Sequence, residues 1–61
     1  MDKFKIKVSI AGRVYPLTIN REEEENIRKA ASKIEVILKQ FESDYAVKDK
    51  QDLLAMCALQ L

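Results

Sequence analysis

Phe4, Ile6, Val8 and Ile10 alternate with Lys5, Lys7 and Ser9. A period of two puts the apolar set on one side of a half-buried strand and the lysines on the other. Gly12, the only glycine in the chain, follows Ala11 and precedes Arg13. A glycine here suits a tight turn that needs positive φ. Tyr15, Leu17 and Ile19 then alternate with Val14, Pro16 and Thr18, so the two segments read as a β-hairpin. Pro16 cannot donate a ladder hydrogen bond, which places its strand at an edge or points that position outward.

The period then changes. Ile27, Ala30, Ala31, Ile34, Ile37, Leu38 and Phe41 fall in one arc about 120° wide at helical spacing. Val36 lies on the opposite side. Asn20 is a suitable N-cap, and Glu23 follows three residues later as in a capping box. Glu22 to Glu25 fill the first turn, where carboxylates complement the helix dipole. Periodicity stops at Glu42, and residues 43–48 read as a loop. Asp49 is the next N-cap. Beyond it, Leu53, Leu54, Ala55, Met56, Cys57, Ala58, Leu59 and Leu61 project in nearly every direction. A helix apolar all round has to be buried all round. One hairpin and one helix are too little cover, so a second subunit is expected on it. Leu61 has no helix stop after it, which predicts a helix running past that residue. The fold class is therefore α+β, a ββαα chain whose second helix starts a long dimerisation helix. The seam is expected at Leu53, Leu54, Cys57, Ala58 and Leu61.

Size reinforces that expectation. Sixty-one residues make one domain, 1–61. So short a chain buries only about 60% of its unfolded surface, and usually needs a disulfide, a metal or a partner. A single cysteine cannot form an intrachain disulfide. With no histidine and one thiol, a zinc or copper site is not expected. Oligomerisation is what is left. The formal charge of +1 gives no general attraction to nucleic acid or anionic membrane. No apolar run reaches the roughly 18 residues of a membrane span. Lys3, Lys5 and Lys7 interrupt any signal-peptide core, so a cytoplasmic protein is expected.

Catalytic chemistry has little to draw on. There is no histidine to act as base, no nucleophile paired with one, and no glycine-rich phosphate loop. The glutamate run reads as a solvated helix start. Cys57, set among leucines, reads as a small buried hydrophobe. No enzyme activity and no cofactor are expected. Lys3, Lys5 and Lys7 share one strand face, which guards a strand against aggregation. A dimeric nucleic-acid binder using that face is the rival reading, but it lacks interleaved aromatics for stacking. Arg13, near the hairpin tip, is the candidate partner contact, since loops held by a rigid scaffold carry recognition.

The run Val8-Ser9-Ile10-Ala11-Gly12-Arg13-Val14-Tyr15 resembles the hairpin signature of the ZapA family. The stretch Asp52-Leu53-Leu54-Ala55-Met56-Cys57-Ala58-Leu59 is similar to the start of that family's long second helix. Glu23-Glu24-Glu25 and Ala30-Ala31 match its acidic helix start and its alanine pair. The resemblance implies a ββα head followed by a coiled-coil helix. It implies a dimeric or tetrameric protein that binds the tubulin-like GTPase FtsZ and bridges its filaments at the division site. Arg13 matches the family's basic turn residue. An acidic residue near the start of the second helix is implicated in filament contact, but Gln51 stands at that position here. An ionic role there is not carried over. No membrane or nucleic-acid partner is implied.

Overall fold

The computed structural model describes residues 2–60. Strand β1, Lys3–Ile10, pairs antiparallel with β2, Arg13–Asn20, and Ile10 faces Arg13 across the turn. Only Ala11 and Gly12 lie between them, at φ +53° and +82°. A two-residue turn with both central residues at positive φ has the twist that suits a right-twisted hairpin. Gly12 adopts it freely. Ala11 does so against its Cβ, and two contacts hold it there. Its N–H donates to Glu35 Oε1 at 2.7 Å, and its methyl packs against a cluster of buried side chains from both helices.

Directly paired residues share a sheet face. Phe4, Ile6, Val8 and Ile10 therefore lie on the same side as Ile19, Leu17, Tyr15 and Arg13. A 3-10 turn, Arg21–Glu23, leads into helix α1, Glu24–Tyr45. One half of the expected capping box forms: Asn20 N–H donates to Glu23 Oε1 at 3.0 Å. The Asn20 carboxamide oxygen is buried and has no hydrogen-bond partner among the described residues. Arg21 anchors the junction from the other side, stacking over Phe4 at 4.8 Å and reaching Asp2 at 3.8 Å.

Helix α1 is about 33 Å long at 1.5 Å per residue, and it divides its length between two cores. Ala31 packs with Ile6, Val8 and Ile19, flanked by Phe4, Ile10 and Ile27. Leu38 and Phe41 pack with Leu53 and Cys57 of helix α2, Lys50–Ala58. Val36 is exposed, as its position on the wheel predicts.

One boundary differs from expectation. Residues 43–45 belong to α1 and not to a loop. Tyr45 packs its ring on Phe41 one turn earlier, with centroids 5.6 Å apart, so an i, i+4 aromatic pair carries the helix on. Ala46 ends it at φ +55°, a left-handed cap formed without glycine. Residues 46–49 form the connection. Asp49 caps α2 as predicted, its Oδ1 accepting from Gln51 N–H at 2.9 Å and Asp52 N–H at 3.2 Å.

This is the expected α+β chain in the order ββαα. It is elongated, 44 × 19 × 15 Å. Its radius of gyration is 13.1 Å, against about 10.5 Å for a compact chain of this length.

Candidate functional site

Helix α1 lies over β1 and leaves the inner side of β2 open. Ile6 and Val8 are 5% and 4% exposed, whereas their cross-strand partners Leu17 and Tyr15 are 36% and 40% exposed. Ile19 is the buried member of the β2 row. Arg13 heads that row at the hairpin end.

The expected seam residues separate into two groups. Leu53 is 0% exposed and Cys57 3%, both packed against Leu38 and Phe41 of the same chain. They fill this chain's own core and offer no surface to a second copy. Leu54 is half-buried and Ala58 exposed, about 40° further round the helix and on the same side. Ala55 and Leu59 continue the exposed apolar surface. Leu61 lies outside the described residues.

Between the open side of β2 and the start of α2 is a groove of about 250 Å³. Ala11, Arg13, Tyr15, Lys50, Gln51 and Leu54 line it. Local structure explains the arrangement. The two-residue turn fixes Arg13 as the first residue of β2. The Glu35 bond to Ala11 ties the hairpin end to α1, and the Asp49 cap fixes where α2 begins. Arg13 and Gln51, widely separated in sequence, are thereby placed on one surface. Lys50 reaches Glu42 at 3.6 Å across the interhelical connection. Arg13 makes no ion pair among the described residues. The groove is thus apolar along Tyr15 and Leu54 and cationic at the Arg13 end. Sequence reasoning found Arg13 but not the groove, because the signal for it is tertiary: α1 is placed over β1 and not over β2.

The other side of the sheet carries Lys3, Lys5 and Lys7, all exposed, opposite Pro16 and Thr18. No aromatic side chain from either strand faces that side, so it has no platform for stacking bases. A second, shallower depression, lined by Val8, Ser9, Arg28, Ala31, Ser32 and Glu35, runs along the outer flank of β1. Arg28 is paired there with Glu24 at 3.0 Å. Among the described residues, no group of three or more acidic or cysteine side chains is placed to hold a metal ion. No helix among them is long and apolar enough to cross a membrane.

No curated protein and no solved structure matches the chain. The family model described as cell division protein ZapA matches residues 6–61. That span runs from within β1 through both helices, and includes the turn, the groove and the uncovered side of α2. The chain therefore belongs to the ZapA family of cell-division proteins.

Proposed function

We propose that this chain is a non-enzymatic cytoplasmic protein that self-associates, binds FtsZ at the division site and promotes cross-linking of its filaments. Family membership supports the division role. The geometric observation that carries the rest is the pairing of two features on one side of the molecule. One is an exposed Arg13 beside Gln51, with no ion pair among the described residues; the other is an uncovered apolar surface on α2. Bridging two filaments needs at least two heads on one body. Linking two weak sites raises their effective local concentration and so their joint grip. Self-association is then the mechanism of the bridge, and Arg13 is the contact each head presents.

Co-sedimentation with FtsZ polymer tests this. The chain should pellet with polymer and not without it. Arg13→Asp should bind about 1–2 kcal/mol more weakly, as loss of an interface arginine commonly does. Its thermal stability should stay within about 0.5 kcal/mol of wild type, because the side chain is exposed. Equal pelleting of both proteins would remove Arg13 from the contact. Failure of the wild type to pellet would remove FtsZ as the partner.

A further inference from the structure

We infer that the free edge of β1 is a docking site for an acidic, extended segment of a partner protein, which adds to the sheet as a third strand with its carboxylates over Lys3, Lys5 and Lys7. This surface lies apart from the Arg13 groove and is independent of the FtsZ contact proposed above.

Register decides which backbone groups the edge offers. In a hairpin with a two-residue turn, Ile10 and Arg13 form a hydrogen-bonded pair, and bonded and non-bonded pairs then alternate. Ser9 with Val14, Lys7 with Pro16, Lys5 with Thr18 and Lys3 with Asn20 are therefore non-bonded. Pro16 has no N–H and fits such a position without loss of a ladder bond. The N–H and C=O groups of Lys3, Lys5, Lys7 and Ser9 thus point away from β2. The sheet has no third strand among the described residues, and none of those groups has a hydrogen-bond partner among them.

The two edges of the sheet are not equivalent. Pro16 interrupts the edge of β2, and the Asn20 N–H at its end is already bonded to Glu23. The edge of β1 keeps its donors and acceptors. An open row of this kind is what captures an extended peptide by strand addition.

The residues that offer those backbone groups also carry the charge. Lys3, Lys5 and Lys7 are exposed on one sheet face, about 7 Å apart along the strand. They make no ion pair among the described residues. Their cross-strand partners Asn20, Thr18 and Pro16 bring no carboxylate. In antiparallel addition, the residue opposite each lysine exchanges both backbone bonds with it and shares its face. Acidic residues at every second position then each meet one lysine.

The same rule sorts the occupants. A second copy docking through its own β1 sets lysine against lysine, and like charges directly opposite repel. Lysines that guard the edge against neutral or basic strands attract an acidic one. A nucleic-acid strand has phosphates for the lysines but no alternating N–H and C=O for the edge. The intervening side chains of the added strand turn toward α1, into the depression of about 150 Å³ along the flank of β1. Its charged groups are already engaged, Arg28 by Glu24 and Glu35 by the Ala11 N–H. Small uncharged side chains suit it.

Fluorescence anisotropy at low salt tests this. The full chain is titrated into a labelled peptide of the eight-residue length of β1, alternating glutamate with threonine. Binding should saturate. Lys5→Glu should weaken it by at least about tenfold, because it sets like charges opposite each other. Far-UV circular dichroism checks folding. Should Lys5→Glu not fold, Lys5→Gln decides: weaker binding supports the site, and unchanged binding overturns it. Two N-methylated peptides separate strand addition from simple charge attraction. Methylating the glutamate amides removes the donors that face β1, and should weaken binding by at least about tenfold. Methylating the threonine amides, which face away, should change it by less than about threefold. Equal binding of the two methylated peptides would overturn strand addition. An oligothymidylate that binds more tightly than the peptide would make the lysine row a nucleic-acid contact instead. Failure of the unmodified peptide to bind the wild type would remove the site.

Discussion

The two strands of the hairpin have nearly the same sequence pattern and opposite fates. Each alternates apolar with polar or small residues, and each lends its apolar row to the same side of the sheet. On β1 that row is closed under α1. On β2 it is open except at Ile19. The difference lies in the cover and not in the strands: paired strands lie about 4.8 Å apart, so a helix about 10 Å across is wide enough for both, and it is the placement of α1 over β1 that leaves β2 open. The same contrast recurs on α2, where Leu53 and Cys57 are closed against α1 while Ala58 and Leu59 are open. In both places the chain carries more apolar surface than it can cover, and Tyr15 of β2 and Leu54 of α2 line one groove.

Ile6 and Leu17 are direct partners across the hairpin, which makes them the sharpest pair for breaking this comparison. Ile6→Ala should destabilise the fold by about 2–4 kcal/mol, the usual cost of truncating a buried aliphatic side chain. A domain this small has about 3–5 kcal/mol in total, so urea denaturation should find it largely unfolded. Leu17→Ala should cost less than about 1 kcal/mol in dilute solution, where only the chain's own packing counts. Wild type should gain stability as its concentration rises, because a partner that binds only the folded form stabilises it. Equal costs at Ile6 and Leu17 in dilute solution would mean that β2 is covered within the monomer.

The hairpin's position over α1 depends on its tip. Glu35→Ala removes the acceptor for the Ala11 N–H and should cost about 1 kcal/mol, read from the urea midpoint. Glu35→Gln retains a carbonyl oxygen and should recover most of the loss. Equal losses in both variants would show that the charge, and not the hydrogen bond, holds the tip.

Ala46 gives the smallest effect and a change of sign. It is exposed and held at positive φ, so glycine relieves the backbone without removing a contact. Ala46→Gly should raise stability by about 0.5–1 kcal/mol. A loss would mean that the interhelical connection depends on its methyl group.

Much of the fold is written locally. The strand alternation, the arc of α1 and the Asp49 cap are set by neighbours a few residues apart, and they match the structure except at Ala30, which lies toward one margin of the arc and is exposed. Gly12 marks the turn, although Ala11, which no propensity would place at positive φ, shares it. Pattern alone fails where the deciding contact is distant. The extension of α1 to Tyr45 follows from a ring pair with Phe41. The sorting of α2 was unreadable because its apolar residues point all round, and only the position of α1 decides that Leu53 and Cys57 turn inward. The candidate site shows the same limit. Arg13 is legible as an exposed cation near a turn. Its placement beside Gln51, and the open row of Tyr15 and Leu17 below it, depend on which strand α1 covers.

Sedimentation equilibrium of the wild-type chain across the micromolar range tests the central claim most directly. The account predicts a mass of two copies or more, falling toward one on dilution. A single copy at every concentration, unfolding cooperatively with a midpoint independent of concentration, would contradict it.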